Sequence, residues 1–234
     1  MLLEVNDITK FYPGQNEPVL DGITFAVDKG ERVGIVGESG SGKTTLSRII
    51  AGLEPADDGS IAFNGARIDF DEGEAVPRRI RNRQVRAAWL GMQMVFQNPA
   101  ASFSDHMDIG KAIWEGAAYN ADLCHCDKRE RQDLIASSLE SVGLDSSFMK
   151  RRAFELSGGE CQRAAIARAI IGDPKLIICD EATSALDVTV QAHIMDLLER
   201  LYEEKGMAFI FVSHNIALVQ GFCDKIYSVS SPCN

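Results

Sequence analysis

An apolar run, Arg32-Val33-Gly34-Ile35-Val36, breaks into Gly37-Glu38-Ser39-Gly40-Ser41-Gly42-Lys43-Thr44, and Thr45–Ala51 then reads as a helix that stops near Gly52. The octet satisfies G-x-x-x-x-G-K-[ST] at every fixed position. Few architectures accept such a segment. The strand must be buried, the turn must take angles that glycine adopts at little cost, and a helix must open directly from it. Successive backbone N–H groups then face inward as an anion nest, and the first helical turn adds about half a positive charge at the same point. Lys43 is placed to reach the outer phosphates of a triphosphate, and the Thr44 hydroxyl to hold Mg²⁺.

The rest of the pattern extends this unit into an α/β fold. Residues 2–8 and 23–27 read as strands, with Ile23, Phe25 and Val27 alternating with Thr24 and Ala26. A short strand at 60–63 is expected to return to that first sheet, and 91–96 is strand-like again. From about 107 to 143 the pattern is helical and polar. The second half alternates: helix 158–171, strand 175–180, helix 189–204, strand 207–212, short helix 215–221, strand 225–229. Val190, Ile194, Leu197, Leu198 and Leu201 form one apolar stripe, with Gly206 just past it. Strands separated by helices imply a parallel sheet covered on both faces, with ligands beyond the carboxyl ends of the strands.

A second chemical element lies at such an end. Leu176-Ile177-Ile178-Cys179-Asp180-Glu181 is four apolar or thiol-bearing residues on a buried strand followed by two carboxylates. Asp180 suits Mg²⁺, and Glu181 is placed to polarise an attacking water as general base. Phosphate loop and acidic strand end together point to binding and hydrolysis of Mg-ATP.

Composition removes several other classes. The 234 residues are 45% hydrophobic and 25% charged, enough for a sizeable core. A net charge of −10 argues against nonspecific binding to nucleic acid and gives no general attraction to anionic lipid. Neither an 18-residue apolar stretch nor a signal peptide is expected. The six cysteines, 124, 126, 161, 179, 223 and 233, suit a reduced setting, and Cys124-His125-Cys126 lacks a second ligand pair at zinc spacing. Arg78, Arg79, Arg81, Arg83 and Arg86 form the one basic patch, read as a solvated helix face or salt bridges to the surplus acids rather than a contact with a partner loop or lipid headgroups.

Leu156-Ser157-Gly158-Gly159-Glu160, followed by Cys161-Gln162-Arg163, resembles the LSGGQ signature of the ATP-binding-cassette family, and it lies at the right place ahead of the acidic strand. The resemblance covers essentially the whole chain. It implies an α/β fold: a P-loop NTPase core with a mostly parallel sheet, an N-terminal antiparallel β subdomain and an inserted helical subdomain. The single domain 1–234 would divide into a β subdomain at about 1–31 and 59–70, a core at about 32–58, 71–98 and 160–234, and a helical subdomain at about 99–159.

Other roles follow from the resemblance, residue by residue. Two cassettes would pair head to tail, with ATP between the loop Gly37–Thr45 of one and Ser157, Gly158, Gly159 and Glu160 of the other. Tyr12, with Phe11 as fallback, matches the aromatic that stacks on adenine. Gln97 matches the glutamine that senses Mg²⁺ and water and links to the transmembrane partner. Asp187, in Ser184-Ala185-Leu186-Asp187, matches the loop at the dimer seam, and His214 the histidine that meets the γ-phosphate.

VGESGSGKTT, MQMVFQNPAASF and DEATSALDVTVQAHIMDLL resemble the peptide and nickel importer branch. The partners implied are transmembrane permease subunits, a second cassette ATPase as homodimer or heterodimer, and indirectly an external solute-binding protein, at the cytoplasmic face of the membrane. Residues around 99–155 would carry the groove for a permease coupling helix. A cassette acting on nucleic acid or ribosomes would bring tandem cassettes, long coiled-coil insertions or zinc modules, which this sequence lacks. A silent regulatory subunit would not need Lys43, Asp180, Glu181 and His214 together. Three departures stand out: Asn215 where the branch commonly has aspartate, Cys161 at a usually polar position expected on a helix surface, and an end at Asn234 where the branch usually continues.

Overall fold

Strict alternation along two central strands decides which layer each residue serves. Leu176, Ile178, Ala208, Ile210 and Val212 point into one apolar cluster, while Ile177, Cys179, Phe209 and Phe211 point into another on the opposite face. A strand buried on both faces must be apolar throughout, as these are. The computed structural model describes residues 1–70, 83–117, 120, 123, 125–184 and 186–229.

The strands are β1 (Leu3–Lys10), β2 (Leu20–Val27), β3 (Arg32–Val36), β4 (Asp58–Phe63), β5 (Ala66–Phe70), β6 (Met92–Val95), β7 (Leu176–Asp180), β8 (Ala208–Val212) and β9 (Lys225–Ser228). The α-helices are α1 (Lys43–Ile50), α2 (Arg83–Trp89), α3 (Ile109–Ala117), α4 (Lys128–Ser141), α5 (Gly158–Ile170), α6 (Val188–Lys205) and α7 (Ile216–Phe222). Two sheets form: an antiparallel one ordered β2-β1-β4-β5 and a parallel one ordered β6-β7-β8-β3-β9. The expected α/β class, with an antiparallel N-terminal sheet, a parallel sheet, and helices α3 and α4 between β6 and β7, is the fold observed.

The cluster that includes Ile178 and Ile210 joins α1 to the antiparallel sheet, through Leu46, Ile49, Ile61 and Phe63. The other cluster gathers α3 to α7 on the far face. One rung of the parallel sheet runs Val95–Cys179–Phe211–Gly34–Ile226, so the carboxyl ends of five strands are level. Gly34 is where α7 rests on β3: a Cβ there would collide with Val219 Cγ1 and press on Cys223.

Several expectations shift. The helix after the glycine-rich octet begins at Lys43, two residues early. Strand β5 was not expected, although Asn64-Gly65, both at positive φ, is the signal of a two-residue hairpin turn. Helix α2 lies at the end of the arginine cluster read as a helix face or salt bridges, and it also buries Val85 and Trp89, four apart. Arg78, Arg79 and Arg81, and the side chains of Arg83 and Arg86, lie outside the described residues, as do Cys124, Ala185 and Cys233.

Cys161 is a correction. It was expected on a helix surface and is 2% exposed in the core, because α5 buries Cys161, Gln162, Ala164, Ala165, Ile166 and Ala167 in near succession. Burial raises its thiol pKa, which suits a small apolar filler rather than a nucleophile.

Candidate active site

Four neighbouring strands deliver their next residues to one edge. Gln97 follows β6, Asp180 and Glu181 end β7, Ser213 and His214 follow β8, and the octet follows β3. Gln97, Glu181 and much of the octet line a cavity of about 420 Å³ together with Tyr12, Gln15, Val19 and Thr45, while Asp180, Ser213 and His214 stand outside that lining.

The loop wraps its own lysine. Lys43 Nζ, almost fully buried, donates to Gly37 O at 3.0 Å and Glu38 O at 2.6 Å. Ser41 N closes the turn on Glu38 O at 3.2 Å. Gly42, at φ 91°, is the N-cap of α1, a left-handed angle that a side chain adopts only under strain. The Ser41 hydroxyl is buried with no hydrogen-bond partner among the described residues. A polar atom left so at a helix start is a fit for an anion's oxygens.

Beside the loop, Thr44 Oγ1 donates to Asp180 Oδ1 at 3.2 Å. Asp180 is 3% exposed, and burial is the largest influence on it, raising its carboxyl above the usual range; the Thr44 hydrogen bond acts in the opposite direction. A hydroxyl and a buried carboxylate are hard oxygen donors of the kind Mg²⁺ takes. The donor set therefore fits the ion.

Glu181 sits in the left-handed region at φ 47°, rare for a residue with a side chain, and its N–H is held by Val212 O at 3.0 Å. Gln97 Nε2 donates to Glu181 Oε2 at 2.9 Å, and His214 Nδ1 lies 3.5 Å from Oε1. Ser184 Oγ is 3.5 Å from the same Gln97 nitrogen. The carboxylate thus has one oxygen fixed by an amide and the other faced by an exposed imidazole. Asn215, in place of aspartate, still caps α7, accepting from the N–H groups of Ala217 and Leu218.

At the other end of the cavity, Tyr12 donates to Glu54 Oε1 at 2.6 Å, and its oxygen lies 3.1 Å from Thr45 Oγ1. Burial, then the Glu54 hydrogen bond, raise the phenol pKa. Phe11 points outward and is not in the lining. Glu54 was not expected from sequence, and neither were Gln15 and Val19 as lining.

Ser157, Gly158, Gly159 and Glu160 line no part of this cavity. They open α5 through a capping box: Ser157 N donates to Glu160 Oε2 at 2.8 Å, and Glu160 N to Ser157 Oγ at 3.4 Å. The Ser157 backbone N–H and then its hydroxyl lower the Glu160 pKa. Asp187 caps α6, accepting from Val190 N at 2.9 Å. The two segments are adjacent, since Gly159 leaves room only for Val190. Among the described residues no cluster of three His, Cys, Asp or Glu could hold a metal ion, and no helix is long and apolar enough to cross a membrane.

Comparison with known proteins agrees with this geometry. Residues 20–184 match the family described as ABC transporter. The oligopeptide transport ATP-binding protein OppF of Escherichia coli (strain K12) is 38% identical over 226 residues, covering 95% of this chain and 64% of that protein. OppF of Bacillus subtilis (strain 168) is 37% identical over 227 residues, covering 96% and 71%. A putative peptide import ATP-binding protein of Brucella abortus (strain 2308) is 38% identical over 227 residues, covering 96% and 68%. The chain thus spans 64% and 61% of the E. coli and Salmonella typhimurium OppF proteins, less than two thirds of either. Among solved structures, the dimeric MJ0796, a bacterial ABC transporter cassette, superposes with a TM-score of 0.82 at 25% identity, covering 98% of this chain and 95% of that one. Its post-hydrolysis form bound to ADP and Pi gives 0.78 at 25% identity, covering 99% and 97%. The matched range runs from the start of β2 to just beyond Glu181 and takes in both the phosphate loop and the acidic strand end, and this chain belongs to the ABC transporter family.

Proposed function

We propose that this chain binds Mg-ATP and hydrolyses it as the ATP-driven subunit of a transporter that imports peptides. The observation that carries the reading is convergence at one sheet edge: Lys43, Thr44, Gln97 and Glu181 line one cavity, with Asp180 against Thr44 and His214 beside Glu181. Lys43 and the loop amides hold the phosphates, and Thr44 and Asp180 hold Mg²⁺ with Gln97 nearby. When bound, the ion neutralises charge building on the phosphate oxygens. Glu181 takes a proton from the attacking water, Gln97 and His214 fix where its oxygens point, and His214 meets the γ-phosphate. Tyr12 stacks on the base.

Ser157–Glu160 and Asp187 serve a second cassette rather than this cavity. The exposure of Ser157, Gly158 and Asp187 at the starts of α5 and α6, away from the lining, supports a head-to-tail pair, identical or mixed. The names of the relatives support peptide as the solute over nickel. The permease partner has a candidate seat in the cleft between Leu53, Met94, Phe96, Glu115 and Arg168, where the helices between β6 and β7 meet the core. The chain would then sit at the cytoplasmic face of the membrane, held by that partner, with a solute-binding protein acting from outside.

The decisive measurement is phosphate release from Mg-ATP by the purified chain, alone and with candidate permeases in vesicles. Absence of hydrolysis under both conditions sinks the proposal.

A further inference from the structure

The segment that follows Tyr12 has little to hold it in place. Residues 13–17 are exposed, and the backbone between β1 and β2 is tied by only a few hydrogen bonds, among them Gln15 N to Tyr12 O at 3.1 Å and Val19 N to Lys10 O at 2.7 Å. A tyrosine on such a loop loses rotamer freedom when it stacks on a ligand, which weakens binding. Here the ring is fixed in advance from one side. The phenol donates to Glu54 Oε1 at 2.6 Å, a charge-assisted distance. With that proton committed, its oxygen accepts from Thr45 Oγ1 at 3.1 Å.

Three residues on, Asp57 anchors the same loop. Its carboxylate accepts from Phe11 N at 2.6 Å and from the buried Lys10 ammonium at 3.3 Å, while Asp57 N donates to Thr9 O at 2.9 Å. Thr45, Glu54 and Asp57 all belong to α1 or to its connection into β4, and α1 is the helix that opens at the phosphate loop. The aromatic wall and the phosphate cradle are therefore fastened to one element.

We infer that Glu54 is a positioning residue for the nucleotide base: its carboxylate holds the Tyr12 ring as a preformed wall of the cavity. The inference rests on the reading of the cavity as an ATP site. Glu54 is absent from the lining and acts through Tyr12, so its effect is confined to ligands that carry a base.

The test is equilibrium binding of two anions to the full chain: ATP, and inorganic tripolyphosphate, which has the phosphates without the base. Glu54→Ala and Tyr12→Phe each weaken ATP binding about 2- to 10-fold, the cost of ordering one freed side chain. Both leave tripolyphosphate affinity unchanged. Glu54→Gln, which keeps an oxygen acceptor for the phenol, restores most of the loss, and Glu54→Ala adds nothing in a Tyr12→Ala background. Equal weakening of both anions by Glu54→Ala overturns the inference, as does unchanged ATP affinity in both Glu54→Ala and Tyr12→Phe, or full additivity with Tyr12→Ala. Failure of the unsubstituted chain to bind either anion removes the nucleotide reading, and this inference with it.

Discussion

Gln97 Nε2 lies 2.9 Å from Glu181 Oε2, across 84 residues of sequence, because β6 and β7 are neighbours whose ends are level. A carboxylate so held has its second oxygen free for water and imidazole. Gln97→Ala and His214→Ala should each lower ATP turnover about 10- to 10²-fold with a smaller change in KM, since both orient Glu181 and meet the reacting end of the nucleotide, while Lys43 and the loop amides still hold its phosphates. Glu181→Gln should go further, about 10²- to 10⁴-fold, while nucleotide still binds. Steady-state phosphate release beside ATP titration checks all three; hydrolysis at the original rate in Glu181→Gln rejects the base assignment.

Burial raises the Asp180 carboxyl, so its charge opposes folding of the nucleotide-free chain. The folded pKa is above the unfolded one. The penalty is therefore absent in acid below the ordinary aspartate range, grows as pH rises past that range, where the unfolded carboxyl ionises first, and is complete above the folded value. Asp180→Asn should melt higher than the parent at pH 7 without Mg²⁺, and the gain should shrink toward acid. Mg-ATP should then raise the melting temperature of the parent more than that of the variant. A gain that is the same at acid and neutral pH would show that burial of the charge is not its cause.

Lys43→Ala and Ser157→Ala give a test of pairing. Each alone should be inactive, Lys43→Ala through lost nucleotide affinity and Ser157→Ala through a defective partner surface, with about 1 kcal/mol of helix-cap stability lost in the latter. In a head-to-tail dimer of the two variants both defects fall on one site and the other is intact. Activity should therefore return on mixing. Persistent inactivity of a mixture shown to form mixed dimers would count against the arrangement.

Cysteine accessibility tests the packing. Cys161 and Cys179 are buried, with pKa values raised by desolvation, whereas Cys126 is partly exposed. Maleimide labelling read peptide by peptide should modify Cys126 in the native chain and reach Cys161 and Cys179 only after unfolding. Native labelling of Cys161 would return it to the helix surface.

Lys43, Thr44, Asp180 and Glu181 were legible because each pair is contiguous with the strand or helix that aims it. Gln97 and His214 were reached by resemblance, since nothing local marks a glutamine or histidine after a strand. Glu54 left no trace in sequence: its partner is 42 residues away and no periodicity joins them. Cys161 was misplaced because α5 has no clear polar face, so its neighbours did not reveal how deeply the helix lies. Strand β5 was legible and overlooked: Ile68 and Phe70 are buried, Arg67 and Asp69 are exposed, and the Asn64-Gly65 turn precedes them.

The missing side chain at Gly34 reaches further than the strand that contains it. His214 is followed directly by the helix that settles into the hollow over Gly34, so even a methyl there would shove that helix outward and drag the imidazole with it. Where the histidine stands relative to Glu181 is thus governed from the floor of the sheet, and a one-carbon change with no polar chemistry of its own would detune the site from below.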